Sequence, residues 1–236
     1  MRIALLGFGK MGQEIGAVAR EQGDTIAKVF EIDNPVKPDQ LADVDICIDF
    51  SIPESVLPNI RASAEARRDI VVGTTGWDKH LPEVRNLVAE SGLLYSANFS
   101  LGMNIFFRIV ARAAELMNNA GDYDPFIHEI HHAQKTDSPS GTALRLADIL
   151  LDRIDRKKGI LTHPPDGKIT PDMLHVSSTR VGLVAGTHTV GFDSGADSIE
   201  LRHNAKNRRG FALGALAAAR WLRGRKGIYT MDDVEL

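Results

Sequence analysis

The chain has 236 residues, of which 43% are hydrophobic and 25% are charged, and its formal net charge at pH 7 is -3. This composition is typical of a globular protein with one large core or two modest ones, and it argues against a general nucleic-acid or membrane-surface binder. The single cysteine, Cys47, excludes an internal disulfide and fits a reducing cytoplasm, and we expect no signal peptide or membrane span because the N-terminal apolar run soon reaches glycines and no apolar run is long enough.

A strand, a glycine turn and a helix open the chain. Arg2 to Leu6 is a short apolar run, and the motif Gly7-Phe8-Gly9-Lys10-Met11-Gly12 follows it directly. Ile15, Val18 and Ala19 then recur at helical spacing. In a dinucleotide-binding turn the first glycine makes the tight turn, the second admits a pyrophosphate and the third lets the helix close on the strand. We therefore predict a pyrophosphate site here, with a plain helix-entry turn as the alternative.

Glu31 ends the second predicted strand, Thr25 to Phe30, at the distance from Gly12 where a ribose-binding acid belongs. A carboxylate there accepts hydrogen bonds from the ribose hydroxyls and repels a 2′-phosphate. Ile32 stands where an arginine would bind that phosphate, and Asp33 is a nearby rival for the acid role. The sequence therefore favours NADH over NADPH.

Three further strands complete a doubly wound parallel sheet. They are predicted at Val44 to Phe50, Ile70 to Val72 and Leu93 to Ser96, with helices starting near Pro53, where Ser51 is a possible cap, and spanning Asp78 to Ser91. The last two strands end at Gly73-Thr74-Thr75-Gly76 and Ala97-Asn98-Phe99-Ser100. Ligands lie beyond the carboxyl ends of such strands, so these turns are candidate neighbours of a nicotinamide ring, although either alone is more often a plain loop.

The pattern changes in the second half of the chain. A helix is predicted over Met103 to Met117, with Ile105, Phe106, Ile109, Val110, Ala113 and Leu116 inward. Another follows Ser140, with Leu144, Ala147, Leu151 and Ile154 inward, and a proline-rich connection spans Gly159 to Pro171. Strands at Val176 to Val181, Gly186 to Phe192 and Ser198 to His203 precede a last helix, Ala205 to Arg223. These predict a second domain with a mixed sheet, whose bare face favours self-association.

The stretch His128 to Thr142, HEIHHAQKTDSPSGT, carries the titratable groups. A helix begins at its end, where the backbone N–H groups of Gly141 and Thr142 attract a carboxylate or phosphate. Lys135 adds a cation, and His132 adds a donor whose charge changes near neutral pH. An anionic substrate is therefore predicted. Arg180, at a strand end, is a candidate for a second carboxylate, although a single arginine is usually a surface residue.

His128, Glu129 and His132 also match the H-E-x-x-H zinc-protease motif. That motif requires a helix, and the flanking Pro125 and Pro139 disfavour one. In an extended segment His128 and His132 share a face with Ile130, and His131 points the other way. We therefore expect no metal, and solvated surface histidines remain the other alternative.

These residues resemble the dihydrodipicolinate reductase family, also called 4-hydroxy-tetrahydrodipicolinate reductases. Residues 129 to 143 are similar throughout to the signature E-x-H-H-x-x-K-x-D-x-P-S-G-T-A. GFGKMG at residues 7 to 12, GTTG at 73 to 76, ANFSLGMN at 97 to 104 and GTHTVGF at 186 to 192 support the resemblance.

The resemblance implies an α/β protein: a Rossmann-type doubly wound parallel sheet, formed by residues 1–102 and 205–236, plus an α+β substrate and oligomerisation domain with a mixed sheet, residues 103–204. It implies that His131 is a proton donor or acceptor and Lys135 the other proton donor. It implies a cyclic dicarboxylate bound by His132, Lys135, Ser140, Gly141 and Thr142. Cofactor contacts are implied for Gly7, Phe8, Gly9, Lys10, Met11, Gly12, Glu31, Gly73, Thr74, Thr75, Ser96, Ala97, Asn98 and Phe99. Family members are homotetramers, and a short connection around residues 155–172 departs from longer members.

The implied reaction is the reduction of 4-hydroxy-tetrahydrodipicolinate to tetrahydrodipicolinate in the diaminopimelate route to lysine, with NADH preferred and NADPH possible. His131 suits general acid catalysis because the reference pKa of histidine lies near neutral pH. Two alternatives stay open: a non-catalytic dinucleotide-binding sensor, and another Rossmann dehydrogenase of amino-acid metabolism, of the aspartate or homoserine type.

Overall fold

A computed structural model describes residues 1–163 and 167–235 of the chain. It divides into two compact units, Met1–Asn104 with Arg208–Leu236, and Ile105–Asn207. Residues 103, 104 and 205 to 207 therefore lie in the other unit from the one that the resemblance implies. Residues 164 to 166 of the predicted proline-rich connection lie outside the described residues.

Strands and helices alternate along the first hundred residues and group differently afterwards. In chain order the strands are β1 (Arg2–Leu6), β2 (Thr25–Phe30), β3 (Ile46–Asp49), β4 (Asp69–Val72), β5 (Gly92–Tyr95), β6 (Asp124–His131), β7 (Gly159–Leu161), β8 (Met173–Arg180), β9 (Thr187–Asp193), β10 (Ser198–Asn204) and β11 (Gly227–Thr230). The helices are α1 (Lys10–Glu21), α2 (Pro53–Glu65), α3 (Leu81–Leu87), α4 (Leu101–Asn118), α5 (Gly141–Arg153) and α6 (Arg209–Leu222), with short 3-10 helices at Pro38–Leu41 and Asp78–His80.

The first unit holds a six-stranded parallel sheet in the order β11-β5-β4-β3-β1-β2. Its two faces are both buried: Ile3 and Leu5 of β1 belong to one apolar cluster, which includes residues of α1 and α6. Ala4 and Leu6 belong to the other cluster, with residues of α2 and α3. Strands covered on both faces need apolar residues at every position, which explains the unbroken apolar runs in the sequence. The predicted doubly wound sheet is confirmed.

The second unit holds a five-stranded mixed sheet in the order β10-β9-β6-β8-β7. Its central strand, β6, pairs parallel with β8 and antiparallel with β9. Along β6 burial alternates, with Ile127, Glu129 and His131 buried and His128 and Ile130 half-buried. The predicted mixed sheet is also confirmed, and its middle strand carries the titratable residues.

Two strands and one cap differ from the sequence prediction. β7 lies within the predicted connection, and β11 follows the last helix; both are short and only half-buried, so their residues show no apolar period. Ser51 is not a helix cap, because Ile52 is the N-cap of α2 and the Ser51 hydroxyl donates to Asp49 instead.

The predicted inward faces of α4 and α5 were partly wrong. In α4 Ile105, Ile109 and Leu116 are exposed, whereas Phe107 is buried. In α5 the buried residues are Ala143, Leu146, Ala147 and Leu150, and Leu144 is exposed. Both helices carry apolar residues around most of their circumference, so periodicity alone does not distinguish one face.

Candidate active site

Glu129 is the centre of a buried polar cluster in the second unit. It is 0% exposed, and its Oε1 accepts hydrogen bonds from the Arg180 guanidinium at 2.8 Å, the Ser178 hydroxyl at 2.8 Å and the Ser140 N–H at 2.9 Å. The parallel register of β6 and β8 sets Glu129 opposite Ser178, which places Arg180 within reach as well. Donors from β8 and from the start of α5 therefore converge on one carboxylate oxygen.

The other oxygen of Glu129 faces two histidines. Its Oε2 lies 3.1 Å from Nδ1 of His131 and 3.6 Å from Nε2 of His188. Among the described residues neither Oε2 nor Nδ1 of His131 has a hydrogen-bond partner. The two imidazole rings contact each other edge to face, with their centroids 5.1 Å apart. One carboxylate and two imidazoles thus share a buried space.

The charges of this cluster follow from its contacts. Burial alone would raise the pKa of Glu129, but the neighbouring His188 ring and the hydrogen bonds from Ser140 and Arg180 outweigh burial and hold that pKa well below its ordinary range. Burial lowers the pKa of His131 to about 4; the Glu129 carboxylate opposes this shift, and nearby positive charge adds to it. At neutral pH Glu129 is therefore ionised and His131 is neutral.

The start of α5 is the predicted anion site. Ser140 is the N-cap, and its Oγ accepts from the Ala143 N–H at 3.2 Å. A carboxylate already lies there: Asp137 binds the Lys135 ammonium at 2.7 Å and accepts a hydrogen bond from the Gly141 N–H, which together hold its pKa below the ordinary value.

Two other predicted substrate residues lie beside this site in the chain. Thr142 is half-buried in the first turn of α5. His132 is half-buried beyond the end of β6, so it does not continue the strand face that carries His128 and Ile130.

The helical zinc motif is not formed, because His128 lies on a strand and its Nδ1 bonds to the Ser177 hydroxyl at 2.8 Å. A different set, Glu129, His131 and His188, places three potential ligand atoms within 4.8 Å of one another. Imidazole and carboxylate suit zinc. The pairing of Glu129 with Arg180 opposes a dication at this position, because the carboxylate charge is already neutralised.

The first unit contains a cavity of about 520 Å³ at the carboxyl ends of β1 and β2. Gly7, Phe8, Gly9 and Glu31 line it, and Asp33 joins them. Gly7 has φ +91, and a Cβ there would lie 2.5 Å from the Phe50 carbonyl oxygen, so only glycine fits this turn. Gly9 is the N-cap of α1 and makes no side-chain cap bond, which leaves first-turn N–H groups for an anion. These residues fit a dinucleotide.

The remaining predicted cofactor residues lie in three short segments outside the lining of this cavity. Lys10, Met11 and Gly12 form the first turn of α1; Gly73, Thr74 and Thr75 follow β4; Ser96, Ala97, Asn98 and Phe99 follow β5. The Thr74 hydroxyl donates to Asp49 at 2.9 Å. Phe99 is 1% exposed and packs on Phe50 in the apolar core, so the structure does not present it to a ligand.

Sequence reasoning considered Glu129 only as part of the zinc motif and the family signature, and it assigned no role to His188. Alternate residues of a strand point to the same face, so Glu129 and His131 could have been predicted to lie side by side. His188 comes from β9, far along the chain, and only the sheet register brings it to Glu129. Arg180, predicted for a second substrate carboxylate, pairs with Glu129 and also donates to the Asp137 carbonyl.

Two family models match the chain. They are described as "Dihydrodipicolinate reductase, N-terminus", over residues 1–99, and "Dihydrodipicolinate reductase, C-terminus", over residues 102–234. A 4-hydroxy-tetrahydrodipicolinate reductase of Christiangramia forsetii is 41% identical over 238 residues, covering 99% of this chain and 97% of that protein. Another, of Archaeoglobus fulgidus, is 36% identical over 259 residues and covers 99% of both.

Solved structures give the same fold. A dipicolinate-bound dihydrodipicolinate reductase from Paenisporosarcina matches with a TM-score of 0.77 at 21% identity, covering 98% of this chain and 97% of that one. Aspartate semialdehyde dehydrogenase II of Vibrio cholerae matches with a TM-score of 0.53 at 12% identity, covering 91% and 95%. At these identities the likeness concerns the fold alone. In the described part of the chain every helix is too short or too polar to cross a membrane.

Proposed function

Because the chain belongs to the dihydrodipicolinate reductase family, we propose that its buried cluster around Glu129 handles the protons of the reaction. The protein reduces 4-hydroxy-tetrahydrodipicolinate to tetrahydrodipicolinate with a nicotinamide nucleotide, in the diaminopimelate route to lysine. The observation that carries the proposal is the 3.1 Å approach of the His131 ring to a buried, ionised carboxylate. A histidine beside a fixed carboxylate is a common arrangement for acid and base catalysis.

The substrate is a cyclic dicarboxylate, and the anion site at the start of α5 suits one of its carboxylates. Lys135 and the Gly141 N–H hold the Asp137 carboxylate there. In the proposal a substrate carboxylate takes the place of Asp137, because it matches the same donors and the positive end of the helix dipole. Ser140, Thr142 and His132 complete the substrate contacts.

The nicotinamide nucleotide, when bound, supplies hydride to the unsaturated cyclic imine that remains after the hydroxyl leaves as water. Electron density then builds on a ring carbon, which must take a proton. The imidazolium of His131 donates it, breaking its N–H bond as the C–H bond forms, and Lys135 is the other proton donor. A bound dianion adds negative charge near His131, which raises the pKa of its ring from about 4 toward neutrality.

NADH is the proposed preferred cofactor, with NADPH still accepted. Two carboxylates, Glu31 and Asp33, line the cavity of the first unit, and both are exposed. Among the described residues that line this cavity there is no lysine or arginine to bind a 2′-phosphate. Carboxylates accept hydrogen bonds from ribose hydroxyls and repel the extra phosphate.

A cytoplasmic homotetramer is the proposed state of the protein. The exposed apolar side chains of α4, Ile105 at 46%, Ile109 at 47% and Leu116 at 57%, support association of the second unit. The single cysteine, Cys47, is free and buried, which suits a reducing compartment. Sedimentation equilibrium tests the assembly, and a monomer at micromolar concentration would exclude the tetramer.

The test of the proposed chemistry is a coupled assay that follows NADH oxidation with the condensation product of pyruvate and aspartate semialdehyde. His131→Asn and Lys135→Met are each expected to lower kcat by roughly a hundredfold to ten-thousandfold. His128→Gln is the matched control, since His128 lies on the same strand but bonds to Ser177, and it should retain normal kcat. An unchanged kcat in the double variant His131→Asn with Lys135→Met would contradict the proposal.

A further inference from the structure

We infer that Glu129 is a positioning residue that sets the tautomer and the charge of His131, an inference that rests on the proposed proton transfer by His131. The geometry is specific. The carboxylate cannot rotate, because Arg180, Ser178 and Ser140 all donate to Oε1. Its Oε2 is therefore held in one direction, toward Nδ1 of His131 at 3.1 Å.

The pairing of these two atoms follows from burial. Among the described residues, Oε2 of Glu129 and Nδ1 of His131 are buried and lack any hydrogen-bond partner. A buried ionised oxygen without a donor is unfavourable, so the neutral ring places its single proton on Nδ1, facing the carboxylate. The N–H direction is not aligned with Oε2 in this structure, and such catalytic hydrogen bonds tighten when the substrate binds.

The opposite edge of the ring stays available for proton exchange. Nε2 of His131 lies beside Gly186, where an added Cβ would come within 2.9 Å of it. Glycine at this position therefore keeps Nε2 uncrowded. With Nδ1 committed to Glu129, Nε2 is the atom that exchanges the proton with the substrate.

The charges around His131 show why a carboxylate is needed. Arg180 from β8 and Lys135 beyond β6 carry positive charges near the ring that disfavour the imidazolium, and His188 from β9 contacts the ring edge to face. The Glu129 carboxylate acts in the opposite direction. Without it, the proton-donating form of His131 would be reached only at a lower pH.

The test is Glu129→Gln, which keeps the size of the side chain and one oxygen but removes the charge. We expect kcat to fall by about tenfold to a hundredfold with KM changed by less than about threefold. The acid limb of the kcat profile should move to lower pH. Glu129→Asp should restore part of kcat, and Glu115→Gln, an exposed carboxylate of the same unit, should change neither quantity.

A second readout does not depend on activity. Long-range ¹H–¹⁵N NMR of the imidazole reports the pKa and the tautomer of His131, with its signals assigned from His131→Asn. In Glu129→Gln the pKa of His131 should fall by about one unit, and the Nδ1–H tautomer should lose its dominance.

An unchanged His131 tautomer and pKa in folded Glu129→Gln would overturn the inference even if activity were lost. Full activity of His131→Asn would instead overturn the proposed function and leave the NMR result standing. If Glu129→Gln does not fold, the double substitution Glu129→Gln with Arg180→Met removes the buried pair together, and the same NMR measurement applies.

Discussion

The proposed preference for NADH depends on Glu31. It lines the cavity of the first unit next to Ile32, which is 74% exposed and leaves room for a longer side chain. Replacing Glu31 by Ser and Ile32 by Arg removes a repelling charge and adds a phosphate donor. The ratio of kcat/KM for NADPH to that for NADH should rise at least about tenfold, equivalent to about 1.4 kcal/mol. Steady-state kinetics with both nucleotides measures it.

The matched control is Glu65→Gln, which removes an exposed carboxylate at the end of α2 and should leave the ratio unchanged. A natural preference for NADPH would contradict the role of Glu31. So would a ratio that does not respond to the double substitution.

At the scale of residues, sequence reasoning reached the groups that are close together along the chain. Lys135 and Gly141 were predicted as anion donors, and the structure brings both to one carboxylate. The pairing of Glu129 with Arg180 and His188 could not be predicted. Both residues come from strands more than fifty residues further along the chain, and such a separation does not set the register of the strands.

Asp49 links three elements of the first unit, and its replacement tests that link. It ends β3, is 0% exposed, and accepts hydrogen bonds from Ser51, from Asn59 of α2 at 2.8 Å and from Thr74 after β4 at 2.9 Å. Asp49→Asn replaces one acceptor oxygen by an NH2 group that would face hydrogen-bond donors. The free energy of unfolding should therefore fall by about 1–3 kcal/mol. Urea denaturation measures the loss. Asp39→Asn, the same change at an exposed carboxylate, is the control, and equal stability of the two variants would exclude the link.

Strands that are buried on both faces were the elements that could be predicted from the sequence. β3 is buried throughout and β1 is buried after Arg2, so each appears as a nearly continuous apolar run. β7 and β11 are half-buried and short, and such strands depend on the neighbours to which they bond rather than on their own residues. The buried faces of α4 and α5 were misassigned for a similar reason. Each helix has several apolar sides, and the elements packed against it determine which side is buried.

For the molecule as a whole, the order of elements was enough to predict the fold class. When strands and helices alternate along a chain, few arrangements other than a doubly wound parallel sheet are possible. Strands that follow one another after short loops favour antiparallel pairing instead. The mixed character of the second sheet, with β6 parallel to β8, depends on a long connection that carries α5 and β7. Side-chain patterns alone do not specify that pairing.

The stability of the whole chain should fall as the pH drops below neutrality. The pKa of His131 is lowered from 6.5 to about 4 in the folded protein, so between these values the unfolded chain binds more protons and is stabilised relative to the folded one. His203, whose pKa burial also lowers, acts in the same direction, and Glu129 adds to the loss below its ordinary pKa of 4.5. Burial raises the pKa of Asp49, which has the opposite sign and offsets part of the loss near pH 4.

From pH 7 to pH 5 the contribution of His131 is on the order of 1–2 kcal/mol, allowing for its partial contact with solvent. Urea denaturation at both pH values should show this decrease in the free energy of unfolding. His131→Asn has no proton to bind and should therefore show a smaller decrease, although its stability at pH 7 is lower or unchanged. If the variant lost as much stability between pH 7 and pH 5 as the natural chain, His131 would not be held neutral by its buried position.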